Sequence, residues 1–253
     1  MRRSYFLLLA MAAPLSMASA ANAFDPDTPV ASASDDSFPL KLKYDVDPTI
    51  HAAFFAAFEE DYHPGARPEM TLEIEGRVYV FTPAAIHVLD DGRAILLSLG
   101  ALTEAGHADS GINAIHYLRA SPSGWVREGE WFGIGAVGSM GNAATSWAFT
   151  DHLGKNPYLV SAGGGVWQGC MVNSAIVTEL AASGPVDRGS FTDAMSSGAG
   201  IGQLDAQYEG RIVAAKPDHS FIVAYKGTKK MQQNYVLRNG KYQLVGRDLI
   251  PGC

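Results

Sequence analysis

The chain holds seven histidines, at positions 51, 63, 87, 107, 116, 152 and 219, and histidine is the side chain best suited to proton transfer near neutrality. Their spacing joins none of them to a nucleophile. His87 and His116 fall in runs with strand-like alternation, which favours structural imidazoles satisfied by their neighbours. His107 and Asp109 share a glycine-flanked loop and bring two metal-ligating side chains. A third ligand would have to come from a distant part of the chain, so a solvated loop is the simpler reading. Neither a cofactor nor a metal centre is expected. A serine nucleophile at a strand-to-helix elbow needs Gly-x-Ser-x-Gly. Ser139 stands in Gly138-Ser139-Met140-Gly141, with Val137 where the first glycine should be, and the pattern fails. Gly133, Gly135 and Gly138 spell G-x-G-x-x-G, but the SMGNAATSW that follows has no helical stripe to receive a pyrophosphate. We read it as a glycine-rich β connection. Gly198, Gly200 and Gly202 lack the Lys-Ser/Thr of a phosphate loop.

The stretch from Trp147 to Gln168 is richer. It carries Trp147, the pair Asp151-His152, three consecutive glycines at 163–165, and then Trp167-Gln168. Glycines beside an aromatic residue allow close backbone approach, and an indole with a neighbouring amide suits stacking on a sugar or a peptide. Trp147, Asp151, His152, Trp167 and Gln168 are therefore the candidate ligand-binding residues. The competing reading puts both tryptophans in the core, the usual fate of Trp in a strand. Exposure of Trp167 decides between the two.

The elements that must position these residues are mostly strands. Asp47 and Pro48 suit the cap and first position of a helix. Ile50, Ala53, Phe54, Ala57, Phe58 and Tyr62 follow at helical spacing until Pro64-Gly65, so a helix is expected over 48–62. Its acidic end, Glu59 to Asp61, is either solvated or met by a cation, with Arg67 the nearest in sequence. Beyond residue 68 the period becomes two. Roughly fifteen short strands follow, joined by turn pairs such as Asp91-Gly92, Ser123-Gly124, Pro217-Asp218 and Asn239-Gly240, the first of them suited to a type I′ turn. Segments 101–113, 133–145 and 181–206 read as long Gly/Ser/Ala-rich loops. The expected fold is mainly β: antiparallel hairpins forming a β-sandwich with one N-terminal amphipathic helix. A small β-propeller is the runner-up, suggested by turns about thirty residues apart near 92, 124 and 154, and a closed barrel comes next.

The first residues give an address. Arg2-Arg3, an apolar run from Tyr5 to Pro14, and the small residues of Ala21-Asn22-Ala23 make a signal peptide over 1–23 that leaves Phe24 as the mature N-terminus. The arginine pair admits twin-arginine export, though its flanks fit loosely. Residues 24–38, rich in Pro, Ser, Asp and Ala, read as a flexible linker, and 39–253 as one β-rich domain. In an oxidising compartment Cys170 and Cys253 are expected to form a disulfide across 83 residues. Loss of Arg2 and Arg3 takes the formal charge from −7 to −9, which argues against nucleic acid as a partner, and no later stretch is long and apolar enough to span a membrane. The expectation is a periplasmic or secreted protein, non-enzymatic, binding a small molecule, a glycan or an envelope protein. A hydrolase built on a His–carboxylate site is the first rival, and a structural component of an envelope assembly the second.

Overall fold

The computed structural model describes residues 40, 50–60, 66–198 and 206–252. The signal-peptide and linker segments, Asp47, Pro48, His63 and Cys253 lie outside them. Strands β1 (Met70–Ile74), β2 (Arg77–Val88), β3 (Arg93–Leu102), β4 (Ile112–Ser121) and β5 (Gly124–Phe132) form a five-stranded sheet in chain order. Strands β6 (Ser146–Thr150), β7 (Tyr158–Trp167), β8 (Cys170–Ala181), β9 (Gly184–Ser197), β10 (Ala206–Lys216), β11 (Ser220–Gly227), β12 (Met231–Arg238) and β13 (Lys241–Leu244) form an eight-stranded sheet, also in chain order. Every pairing is antiparallel, the economical result when short turns join successive strands. The chain is thus a mainly-β, sandwich-like fold with one helix among the described residues, and the thirty-residue turn spacing generates no propeller blades there.

Alternation along the strands builds three apolar layers. Leu96 on β3 and Ala114 and Leu118 on β4 face helix α1 (His51–Ala57), meeting Ile50, Phe54 and Ala57. The intervening Ile95, Leu97, Ile115 and Tyr117 face the second sheet and pack with Trp147, Phe149, Leu159 and Leu180. The opposite face of the eight-stranded sheet curls on itself around Val160, Val177, Phe191, Phe221, Tyr235 and Tyr242. Phe221 and Tyr235 stack there with ring centroids 5.0 Å apart, and β13 returns against β9, so close that a side chain at Gly189 would meet the Tyr242 carbonyl at 2.9 Å. The result is a half-barrel. Each fully buried Leu or Phe contributes about 1.5–3 kcal/mol, and the middle strands contribute from both faces.

Several expectations change. Helix α1 covers 51–57, with Ile50 at its N-cap and no side-chain cap. Glu59 takes a left-handed backbone (φ 58°) and stops the helix well before Pro64. The cation at its end is Arg127 of β5, which donates to the Ala57 carbonyl at 3.1 Å and pairs with Glu59 at 2.8 Å; Arg67 pairs with Glu69 instead. The Asp91-Gly92 turn is not type I′, since only Gly92 is left-handed (φ 81°), whereas Asn239-Gly240 has both residues left-handed, as type I′ requires. Most of the presumed loop 181–206 is strand: β8 runs to Ala181 and β9 begins at Gly184.

Candidate functional site

The β7–β8 hairpin ends in Gln168-Gly169, both left-handed (φ 49° and 80°), a two-residue turn that pairs Trp167 with Cys170. Behind this tip the three glycines of β7 serve packing. Val137 and Ala144 lie against Gly163, the β8 backbone at Val172 lies against Gly164, and Ser139 and the Trp167 ring lie over Gly165. The loop that supplies Val137, Ser139 and Ala144 connects β5 to β6, and it is fastened to its neighbours. Ser139 Oγ donates to the Gly164 carbonyl at 2.9 Å. The Met140 and Gly141 amides donate to the His107 and Asp109 carbonyls, and the Gly111 amide donates to Asn142 at 2.7 Å. Asp109 holds the β3–β4 loop in turn, accepting from the Gly106 amide at 2.7 Å and pairing with Arg77 at 2.7 Å. The Arg77 guanidinium keeps the Asp109 carboxyl below the usual carboxylate range. His107 Nε2 lies 3.0 Å from the Val166 carbonyl; a carbonyl only accepts, so this nitrogen carries the proton.

The outcome is a stiff, apolar tip. Trp167 is 42% exposed, Val166 50% and Met140 59%. Val166 and Trp167 point to opposite faces of β7, as neighbours in a strand must, so the tip is apolar on both sides. Gln168 is exposed at its apex. Met140 and Val166 were not among the residues singled out from sequence, and His107 was considered there only as a metal ligand. The available signal was Met140 set between Gly138 and Gly141 in a loop, where a large apolar side chain has no strand to bury it.

The other candidate residues lie elsewhere. Trp147, at 5% exposure, is a core residue between the sheets. Asp151 and His152 follow β6, beside the Thr150–Tyr158 end of the β6–β7 pair. Trp167 is nine residues further along β7, about 30 Å away at strand rise. The five residues therefore do not form one site. A hairpin returns antiparallel, so its turn and the far end of its second strand lie at opposite edges of the sheet. At the Asp151 edge, Asp151 Oδ1 is 3.6 Å from Nε2 of buried His87, whose ring stacks on Phe149 at 5.1 Å. Nearby, the mouth between the sheets holds a cavity of about 60 Å³ lined by Leu89, Arg93, Tyr117, Asn156, Pro157 and Leu180 among others, room for a water or two.

The remaining sequence features resolve as structure. Gly133, Gly135 and Gly138 all have positive φ in an irregular connection. Gly135 is clasped between the sheets by Asn113, whose Nδ2 donates to its carbonyl at 2.9 Å, and by Ser161 and Thr178. His107 and Asp109 tie loops together, and no group of metal-ligating side chains occurs among the described residues. His116 lies in a strand as expected but is not satisfied: it is fully buried and neither ring nitrogen has a hydrogen-bond partner. Cys170 is buried at the start of β8, and its expected pairing falls on a residue outside those described. No helix among the described residues is long and apolar enough to cross a membrane. No protein-family profile, curated protein or solved structure matches the chain.

Proposed function

We propose that this is an exported, non-enzymatic binding protein of the cell envelope that engages its partner through the Trp167–Val166–Met140 tip. The observation that carries the reading is an indole left 42% exposed on a hairpin whose loops are hydrogen-bonded from behind. Exposed apolar groups that cluster mark interaction surfaces more often than isolated ones do. A large aromatic held rigid loses little entropy on binding, which is why Trp is enriched among the residues that dominate interfaces. Large side chains exposed on both faces of the hairpin end suit a glycan or an envelope protein better than a small molecule that needs enclosure. Export by the 1–23 signal peptide, a periplasmic location and a Cys170–Cys253 disulfide belong to the same reading.

A photo-activated cross-linking residue placed at 140 or 167 in cells tests it, with position 88 as control. Val88 is 60% exposed but lies at the other end of β2 from the β1 hairpin. Cross-links from 140 and 167 to one envelope component, with none from 88, are the expected result. Equal labelling from all three positions would remove the tip as a site. A hydrolase is the second reading, favoured by the His87–Asp151 pair alone. Hydrolysis of an envelope substrate that disappears in Asp151→Asn would establish it.

A further inference from the structure

We propose that α1 is a latch on the five-stranded sheet that acid releases, with His116 as the trigger. The helix is seven residues long, carries no basic residue in its last turn and has no side-chain cap. A helix this short is unstable alone in water, so docking holds it. His116 sits directly beneath its end. Its ring lies 4.8 Å from Phe58, the residue that closes the helix, and 5.9 Å from Phe132. The side chain is fully buried and both nitrogens lack hydrogen-bond partners, so there is nowhere for a second proton's charge to be solvated.

The charged groups around it make protonation a mechanical event. Glu130 is the direct cross-strand partner of His116 and its carboxylate is 3.8 Å from Nε2. That carboxylate is already engaged by Arg127 at 2.8 Å. Arg127 is also the group that holds the Ala57 carbonyl and Glu59 at the end of α1. An imidazolium would be repelled by Arg127 and would compete with it for Glu130, weakening the hold of Arg127 on the helix terminus. The other titratable group α1 brings is His51, in its first turn, while β2 and β3 contribute Phe81 and Leu96, which carry no charge. Burial, reinforced by Arg127, holds the imidazole neutral down to about 4 against the ordinary 6.5. The released helix recovers the ordinary value, so proton uptake accompanies opening and acid drives it. Opening would uncover Phe54, Phe81 and Phe132.

Amide hydrogen exchange of residues 51–57, expressed as protection relative to the intrinsic rate at each pH, tests this on the mature protein. Linkage predicts that opening of α1 rises about thirtyfold between pH 7.5 and pH 5, while the amides of β7 and β8 stay protected. His116→Phe, which fills the aromatic site without a titratable group, should change less than threefold over the same range. His51→Gln should respond as the wild type does. Constant protection in the wild type, an unaltered response in His116→Phe, or loss of the response in His51→Gln would each overturn the proposal. Should His116→Phe not fold, the ring resonances of His116 in the wild type decide: protonation that coincides with loss of α1 protection supports the latch, and protonation under a fully protected helix refutes it.

Discussion

Trp147 and Trp167 belong to consecutive strands, yet packing uses them oppositely. Trp147 faces the layer between the two sheets and is closed in by Ile95, Tyr117 and their neighbours, whereas the Trp167 ring lies over Gly165 beside Ser139 and stays 42% exposed. The sequence shows both as aromatic residues in strands; which face each presents depends on the register with the other sheet. Asp193 is a second case. It is the extra residue of a bulge in β9, between Thr192, opposite Ser174, and Ala194, opposite Asn173. Burial pushes its carboxyl up to about 6, Glu209 adds repulsion and Arg211 offsets part of it. The fold therefore favours the protonated acid. Its contribution is complete below the ordinary value of 3.8 and is lost as pH rises through about 6. Asp193→Asn should accordingly stabilise the protein by about 1–2 kcal/mol at pH 8 relative to pH 4, after discount for partial exposure. Denaturant titrations at the two pH values measure it, and a variant whose stability difference from wild type is the same at both contradicts the assignment.

At the scale of elements, β7 shows what its glycines are for. An added Cβ at Gly164 would lie 1.9 Å from the Val172 carbonyl of β8, which is backbone and cannot yield. Gly164→Ala should cost about 3 kcal/mol, the upper range for overpacking, whereas Gly198→Ala, with nothing closer than 3.9 Å, should be close to neutral. Thermal melts of the two variants check this, and equal melting temperatures would contradict it. The hairpins around Ser123-Gly124, Pro217-Asp218 and Asn239-Gly240 were legible because turn chemistry is local, whereas the Gln168-Gly169 turn falls inside the VWQGC run. Strand β9 was not. GPVDRGSFTDAMSS has no clean two-residue alternation, and the β8–β9 pair shifts register twice, at 173/174 and 176/178, which breaks the period any pattern search relies on. The helix was read too long for the complementary reason. Its apolar spacing continues to Tyr62, while the backbone leaves the helix at Glu59.

Across the whole molecule, two meanders stack so that the β3–β4 loop, the β5–β6 connection and the β7–β8 hairpin converge at one edge, and the β2–β3 turn, the β6–β7 loop and the β8–β9 turn at the other. Convergence of this kind depends on how far each sheet extends past its partner, so the sequence revealed Trp167 and Gln168 but joined them to Asp151 and His152, which the meander sends away. In the proposed function the first edge binds and the sheets carry it. Retention of purified mature protein by the isolated cell envelope, measured beside its thermal melt for wild type, Trp167→Ala and Trp147→Ala, separates binding by this edge from a structural role. Trp167→Ala should melt within about 2 °C of wild type, as surface changes do, and lose at least roughly tenfold in retention, as truncation of a dominant interface residue does. Trp147→Ala should instead lose about 3–5 kcal/mol of stability, the cost of a large core truncation. Wild-type retention by a normally folded Trp167→Ala protein would show that this edge is not the binding surface.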